Sequence, residues 1–191
     1  ESPLPSPPAL LAALLLTAAP AFAEGDGPGP NLIIEVAGAA KGEIVIDLDA
    51  KNAPKHAAQI VALAESGAYD NVIFHRVIDG FMAQTGDVQF GKKGGDTSRA
   101  GSGGSDMADL PAEFSQVPFE RGTVGMARAN DPNSANSQFF IMFAPGDFLN
   151  GQYTVYGRVI SGLEHVDKIM RGEPPATPDR MISVKVAADV E

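Results

Sequence analysis

Eight short runs rich in β-branched and aromatic residues, each bounded by glycine, proline or other turn residues, limit the folds open to this chain. A short connection of alanine and glycine joins the first two runs and predicts a hairpin. One helix is predicted to begin at Pro54 and stop at Gly67, and a second to span residues 163–170. The pattern favours a mainly β fold, a barrel or sandwich with two helices packed outside it. The runs cover residues 31–36, 42–48, 72–76, 80–85, 122–128, 137–143, 154–159 and 182–189.

The first 23 residues have the composition of a secretion signal. Residues 10–17 form an apolar run that is too short to span a bilayer, so no stable membrane insertion is expected after cleavage. Ala21-Phe22-Ala23 is a small-x-small triplet suited to signal peptidase. No basic residue precedes the apolar run, and a disordered alanine- and proline-rich tail is the alternative. We expect export to the periplasm, with a signal peptide over residues 1–23, a flexible linker over 24–30 and one domain over 31–191.

Charge and residue types exclude several functions. A formal net charge of −10 argues against nucleic-acid binding, and the absence of cysteine excludes disulfides and thiolate zinc sites. His56, His75 and His165 have no metal-ligand spacing. The first and last are predicted to be solvated helix residues, and His75 a structural histidine with its hydrogen bonds satisfied. Asp87 is predicted to be a turn residue, and no metal or cofactor is expected.

Apolar and polar residues that could form a site are concentrated in two segments, FHRVIDGFMAQTGD at residues 74–87 and SQFFI at residues 137–141. Arg76 stands among apolar residues, which is unfavourable unless its guanidinium is hydrogen-bonded or lines a cleft. Phe74 and Arg76 are expected to share one face of a strand. Taken alone, the arginine fits a structural ion pair and the apolar residues fit ordinary core packing.

Together, the two segments resemble the signatures of the cyclophilin family of peptidyl-prolyl isomerases. GTVGMA, FLNG and YGRV follow in the family's order, and the resemblance covers about residues 31–191. It implies an eight-stranded antiparallel β-barrel capped by two α-helices, with the substrate groove on the outer surface. It also implies an enzyme of class EC 5.2.1.8 that accelerates rotation about X-Pro peptide bonds. With the leader, it predicts a monomer without cofactors that assists the folding of exported proteins.

The resemblance assigns roles to individual residues. It implies that Arg76 is the catalytic arginine and that Gln84 lies beside it. Phe148 stands where many members carry tryptophan and lacks the indole N–H, so cyclosporin is expected to bind weakly. The expected partners are proline-containing peptides and unfolded or folding proteins. The implied substrate-binding residues are Phe81, Met82, Ala127, Ala129, Phe140, Phe148, Leu149 and Tyr153.

Two alternatives stay open at this point. One is a non-enzymatic barrel that binds proline-containing segments without turning them over. The other is a barrel that carries a small ligand inside, as lipocalins do. The alternating valine, isoleucine, leucine and phenylalanine residues argue against the second, because they are expected to fill a small barrel.

Overall fold

The structure is a computed structural model that describes residues 26–187. The predicted signal peptide and the first two residues of the predicted linker lie outside this range. Within the linker, the Gly27 N–H donates to Asp47 Oδ2 at 3.0 Å, and the Pro30 carbonyl accepts from Leu48 N–H at 3.1 Å. Residues 26–30 therefore lie against the second strand of the fold.

The described residues form one antiparallel sheet of nine strands and two α-helices. The order across the sheet is β3-β9-β1-β2-β8-β6-β7-β5-β4. The predicted hairpin is confirmed, because β1 and β2 pair along their length. The strands are β1 Asn31–Ala37, β2 Gly42–Leu48, β3 Val72–Ile73, β4 Arg76–Ile78, β5 Met82–Thr85, β6 Thr123–Met126, β7 Phe139–Met142, β8 Val155–Ser161 and β9 Arg180–Ala187; the helices are α1 Pro54–Glu65 and α2 Leu163–Val166.

The sheet curls because its two edge strands are neighbours in the chain. β3 pairs with β9 and β4 pairs with β5, yet only Phe74 and His75 separate them. Thr85 Oγ1 also donates to the Ile73 carbonyl at 2.8 Å and bridges the seam. The single run predicted at residues 72–76 is thus two strands, which accounts for nine strands instead of eight. The prediction that Phe74 and Arg76 share one face of a strand is wrong, since Phe74 is fully buried and the Arg76 side chain is 45% exposed.

Apolar side chains fill the space enclosed by the sheet. Most of the largest fully buried residues come from β1, β2, β7 and β8, and Tyr69 and Phe74 are added from the connections. Alternate residues of β1 and β2 point inward, as expected for a period-two pattern. Because side chains fill the interior, the structure does not support the alternative of a barrel that carries a small ligand inside. Core members include Leu32, Ile34, Ile44, Ile46, Leu48, Phe139 and Tyr156.

Both helices pack against the sheet, and their buried apolar residues belong to the core that it encloses. α1 buries Ala57, Ile60 and Ala64, which belong to the predicted apolar stripe. α2 is shorter than predicted, because beyond Val166 the Lys168 and Ile169 N–H groups bond to carbonyls three residues back, the tighter 3₁₀ pattern. Among the described residues, no helix is long and apolar enough to cross a membrane.

His56 is buried in the first turn of α1, so the prediction of a solvated residue is wrong. The ring is fully buried, and its Nδ1 lies 2.5 Å from Glu113 Oε2. Glu113 also accepts the backbone N–H groups of Lys55 and His56, which the helix itself leaves unpaired. Burial lowers the pKa of His56, although the hydrogen bond to Glu113 opposes the shift. The other ring nitrogen, Nε2, is buried without a partner among the described residues.

Stability is expected to fall as the solution becomes acidic, with an onset near pH 6.5. Burial lowers the folded-state pKa of His56 and of His75 below the usual 6.5. Below that pH the unfolded chain binds protons that the folded chain does not, so protonation favours unfolding. The free energy of unfolding, measured with urea between about pH 8 and pH 5, should decline below about pH 6.5.

Histidine variants identify the source of this decline. In the double variant His56→Gln/His75→Gln the slope below pH 6.5 should become shallower, since both titrating groups are gone. Lys55→Gln, which alters an exposed neighbour on the same helix, is the matched control and should keep the wild-type slope. A double variant with the wild-type slope would show that these histidines are not its cause.

Candidate active site

A groove of about 1070 Å³ lies on the outer surface of the sheet. Alternation along β7 creates its floor, because Phe139 and Ile141 point into the main core while Phe140 and Met142 point outward. The outward residues join a second apolar cluster beneath the groove. The apolar end of the groove is lined by Phe81, Met82, Phe140, Phe148 and Leu149.

Aromatic contacts shape this apolar end. Phe140 stacks on Phe119 at 5.8 Å between ring centroids and meets the Tyr153 ring edge-on at 6.0 Å. Gly125 makes the stack possible, since a Cβ there would lie 2.6 Å from the Phe119 ring and 2.7 Å from the Phe140 ring. Phe148 rests against Phe81 at 5.5 Å, yet it is 70% exposed. A large apolar side chain that is this exposed is available for contact with a ligand.

Arg76 reaches the groove from the edge strand β4. It pairs in register with Gln84 of β5, and its Nη1 donates to Gln84 Oε1 at 3.3 Å. Its Nε donates to Glu173 Oε1 at 3.0 Å. Gln84 in turn donates to Gln138 Oε1 at 3.1 Å. These bonds fix the plane of the guanidinium, while Nη2 has no hydrogen-bond partner within residues 26–187.

The loop of residues 97–103 forms one wall of the groove, and Asp87 holds it in place. The Asp87 carboxylate is fully buried. Its Oδ2 accepts the N–H groups of Gly101 and Gly103 at 2.8 and 2.9 Å, and its Oδ1 accepts those of Gln89 and Phe90 at 3.0 and 2.8 Å. Asp87 is thus more than the turn residue predicted from the sequence: it is the anchor of the wall.

Gln138 ties the same wall to the side of the groove that carries Arg76. Its Nε2 donates to the carbonyls of Gly101 and Gly103 at 3.0 and 2.8 Å. Because Gln138 also accepts from Gln84, a chain of side-chain hydrogen bonds runs from Arg76 to the loop. The position of the wall and the orientation of the guanidinium are therefore linked.

His75 lies beneath this wall. Its side chain is buried, and both ring nitrogens lack a hydrogen-bond partner among the described residues, so the prediction of a satisfied histidine is wrong. Burial lowers the pKa of His75; the Asp87 charge raises it, and the Arg76 charge lowers it further. The imidazole contributes a neutral surface beside Gly101, where a Cβ would lie 3.1 Å from the ring.

The structure brings the predicted site residues together. Nine of them line the groove, and Ala129 lines a smaller adjoining pocket of about 280 Å³. Sequence reasoning missed Glu173 and Pro174, which lie beside Arg76, and it missed the side chains of Arg99 and Arg128. No local motif surrounds Glu173, so the pattern held no signal for it. Within residues 26–187 no cluster of side chains suited to a metal ion is found.

Comparisons with known proteins identify the family. The family model described as "Cyclophilin type peptidyl-prolyl cis-trans isomerase/CLD" matches residues 32–186. A probable peptidyl-prolyl cis-trans isomerase of Brucella suis is 57% identical over 157 residues, which cover 78% of this chain and 80% of the relative. A peptidyl-prolyl cis-trans isomerase of Arabidopsis thaliana is 36% identical over 153 residues, covering 78% and 92% of the two chains.

Solved structures share the fold. The cyclophilin AquaCyp293 from Hirschia baltica superposes with a TM-score of 0.71 at 28% identity, covering 84% of this chain and 75% of that one. A cyclophilin-type isomerase of Cryptosporidium parvum was crystallised in the presence of the dipeptide Ala-Pro. It superposes with a TM-score of 0.71 at 27% identity, covering 83% of this chain and 99% of that one. From the family match, the shared fold and the groove, we conclude that this chain belongs to the cyclophilin-type peptidyl-prolyl cis/trans isomerases.

Proposed function

We propose that this isomerase uses Arg76 as its catalytic residue, with Gln84 orienting it, and assists the folding of exported proteins. The observation that carries the proposal is the position of the Arg76 guanidinium. It borders the apolar end of the groove, is held on two sides, and keeps one nitrogen without a partner among the described residues.

The reaction explains why this arrangement is suitable. Rotation about a peptide C–N bond faces a barrier of about 18–20 kcal/mol, because resonance gives the bond double-bond character. In the twisted transition state that resonance is lost and the prolyl nitrogen gains a lone pair. A guanidinium donor aimed at this nitrogen binds the twisted state more strongly than the planar one, which lowers the barrier. Arginine suits the task because it stays charged and its planar fork can be fixed by neighbours.

Substrate binding is assigned to the apolar end and its rim. Phe81, Met82, Phe140, Phe148 and Leu149 offer an apolar surface for the proline ring, so that the ring is held while the preceding residue turns. We also assign substrate contacts to Ala127 and Tyr153, which line the groove, and to Ala129, which lines the smaller adjoining pocket. The Ala-Pro dipeptide used with the Cryptosporidium relative supports proline-containing peptides as the substrates.

The proposed cellular role follows from the leader and the reaction. Uncatalysed X-Pro isomerisation takes tens to hundreds of seconds and can limit folding. An isomerase exported to the periplasm would meet chains that fold there. We further propose that it acts as a monomer and binds cyclosporin weakly, since Phe148 offers no N–H donor.

One preparation tests the role. The protein is purified from the periplasmic fraction of its native host, and its intact mass is measured. We expect a chain that begins at Glu24 and that shortens the slow, proline-limited refolding phase of an unfolded secreted protein. Retention of residues 1–23, or absence from that fraction, would contradict export. An unchanged slow phase would contradict the folding role.

A further inference from the structure

The groove is a positively charged site on a protein that is acidic overall. The chain has a formal net charge of −10, yet three arginines, Arg76, Arg99 and Arg128, line the groove against the single carboxylate of Glu173. His75 adds no opposing charge, since it is an imidazole. Clefts lined by one sign of charge attract ligands of the opposite sign and raise their association rates.

Arg128 is held rigidly without being neutralised. Its Nη1 donates to the Ala129 carbonyl at 2.9 Å, and its Nη2 donates to the Gln152 carbonyl at 2.7 Å. Its guanidinium carbon lies 4.3 Å from the centroid of the Tyr153 ring. Carbonyls and an aromatic face set the direction of the cation but carry no net negative charge. No carboxylate within residues 26–187 forms an ion pair with Arg128.

Arg99 provides a second cation from the facing wall. It is exposed on the loop of residues 97–103, and its guanidinium carbon lies 4.1 Å from the centroid of the Phe90 ring. The nearby Asp96 accepts the Ser98 N–H at 3.0 Å and forms no ion pair with Arg99, although its charge lies close enough to attract that of Arg99. Arg99 and Arg128 therefore face the groove from two sides, and neither is held in an ion pair.

Most of the arginines outside the groove are paired with acidic side chains. Three of them form ion pairs with carboxylates, which leaves little charge to attract a ligand. Arg180 and the lysines within residues 26–187 form no ion pair, so unpaired cations are not confined to the groove. The groove differs in that two of them, Arg99 and Arg128, face one cleft whose lining holds a single carboxylate. The paired arginines are Arg121 with Asp167 at 2.7 Å, Arg158 with Asp47 at 3.7 Å and Arg171 with Asp79 at 3.0 Å.

We propose that Arg99 and Arg128 make this enzyme prefer substrates that carry an acidic side chain within a few residues of the proline. This preference rests on the isomerase activity and specifies which class of peptides the enzyme favours. Arg128 borders both the main groove and the smaller pocket that contains Ala129, so a peptide that runs from the apolar end into that pocket passes the guanidinium. An aspartate or glutamate there gains an ion pair, whereas a lysine is repelled.

Peptides with matched charges test the preference. Proline peptides carry Glu, Gln or Lys at one of the two positions on either side of the proline, and kcat/KM is measured for each. At one or more positions the Glu peptide should be turned over about three- to tenfold faster than the Lys peptide. Raising the salt to about 0.5 M should shrink this ratio, because ions screen the attraction.

Variants assign the ratio to the two arginines. Arg128→Gln and Arg99→Gln should each bring the Glu-to-Lys ratio closer to one, whatever they do to the absolute rates. Arg158→Gln removes the same charge outside the groove and should keep the wild-type ratio. A ratio near one in the wild type, or one unchanged in both groove variants, would overturn the preference while leaving isomerase activity intact. Failure to accelerate any peptide would overturn the activity itself and the preference with it.

Discussion

Replacing Arg76 with alanine is expected to lower kcat/KM for a proline peptide about 100- to 1000-fold, the usual effect of removing one preorganised transition-state donor. The guanidinium is held by Gln84 and Glu173, at 3.3 and 3.0 Å, so in the proposed mechanism it would meet the twisting imide without reorganising. Alanine leaves the apolar end of the groove in place. Substrate affinity should therefore change much less than kcat. A protease-coupled assay, in which only the trans peptide is cleaved, measures both.

Control variants separate catalysis from ion pairing. Arg76→Lys keeps the charge but lacks the planar fork, and we expect it to recover only a small part of the rate. Glu173→Gln leaves a hydrogen-bond acceptor for Arg76 without the ion pair, and it should retain most of the activity. Arg158→Ala removes an exposed arginine of β8 and should behave as the wild type. Equal rates for wild type and Arg76→Ala would refute the mechanism and leave Arg76 as a structural residue.

Replacing Asp87 with alanine is expected to reduce the free energy of unfolding by about 3–4 kcal/mol. The variant removes one buried carboxylate and the partner of four backbone N–H groups, and each hydrogen bond to a charged group contributes about 1.5–3 kcal/mol. Part of that sum is recovered because the loop of residues 97–103 can open to water. Urea denaturation gives the overall change. Hydrogen exchange at Gly101 and Gly103 should show the loss of protection locally.

A neighbouring aspartate provides the comparison. Asp96 is exposed just before that loop and accepts only from Ser98, so Asp96→Ala should change the free energy of unfolding by less than about 0.5 kcal/mol. Asp87→Asn keeps one acceptor oxygen, so its change in the free energy of unfolding should lie between those of Asp87→Ala and Asp96→Ala. If Asp87→Ala were as mild as Asp96→Ala, the loop would be held by other contacts. Activity should fall with stability, since the loop is tied to Arg76 through Gln138 and Gln84.

The strands were readable from the sequence because side-chain alternation reflects local geometry. Residues 42–48 form β2 with the predicted bounds, and the hairpin with β1 follows from a short connection. The seam at Phe74–His75 was not readable in the same way. A run of strand-forming residues does not reveal that its two halves pair with opposite edges of the sheet.

The sequence by itself determined the family, the strand pattern and the residues of the apolar groove, because these depend on contiguous motifs and on period-two alternation. Only the tertiary structure decided the partners of the polar groups. Glu173 meets Arg76 across 97 positions of the chain, and Glu113 meets His56 across 57. The N–H groups of Gly101 and Gly103 on Asp87, and the positions of Arg99 and Arg128 at the groove, depend in the same way on how loops fold back. Such contacts form only when distant parts of the chain come together in the folded structure, so no local residue spacing predicts them.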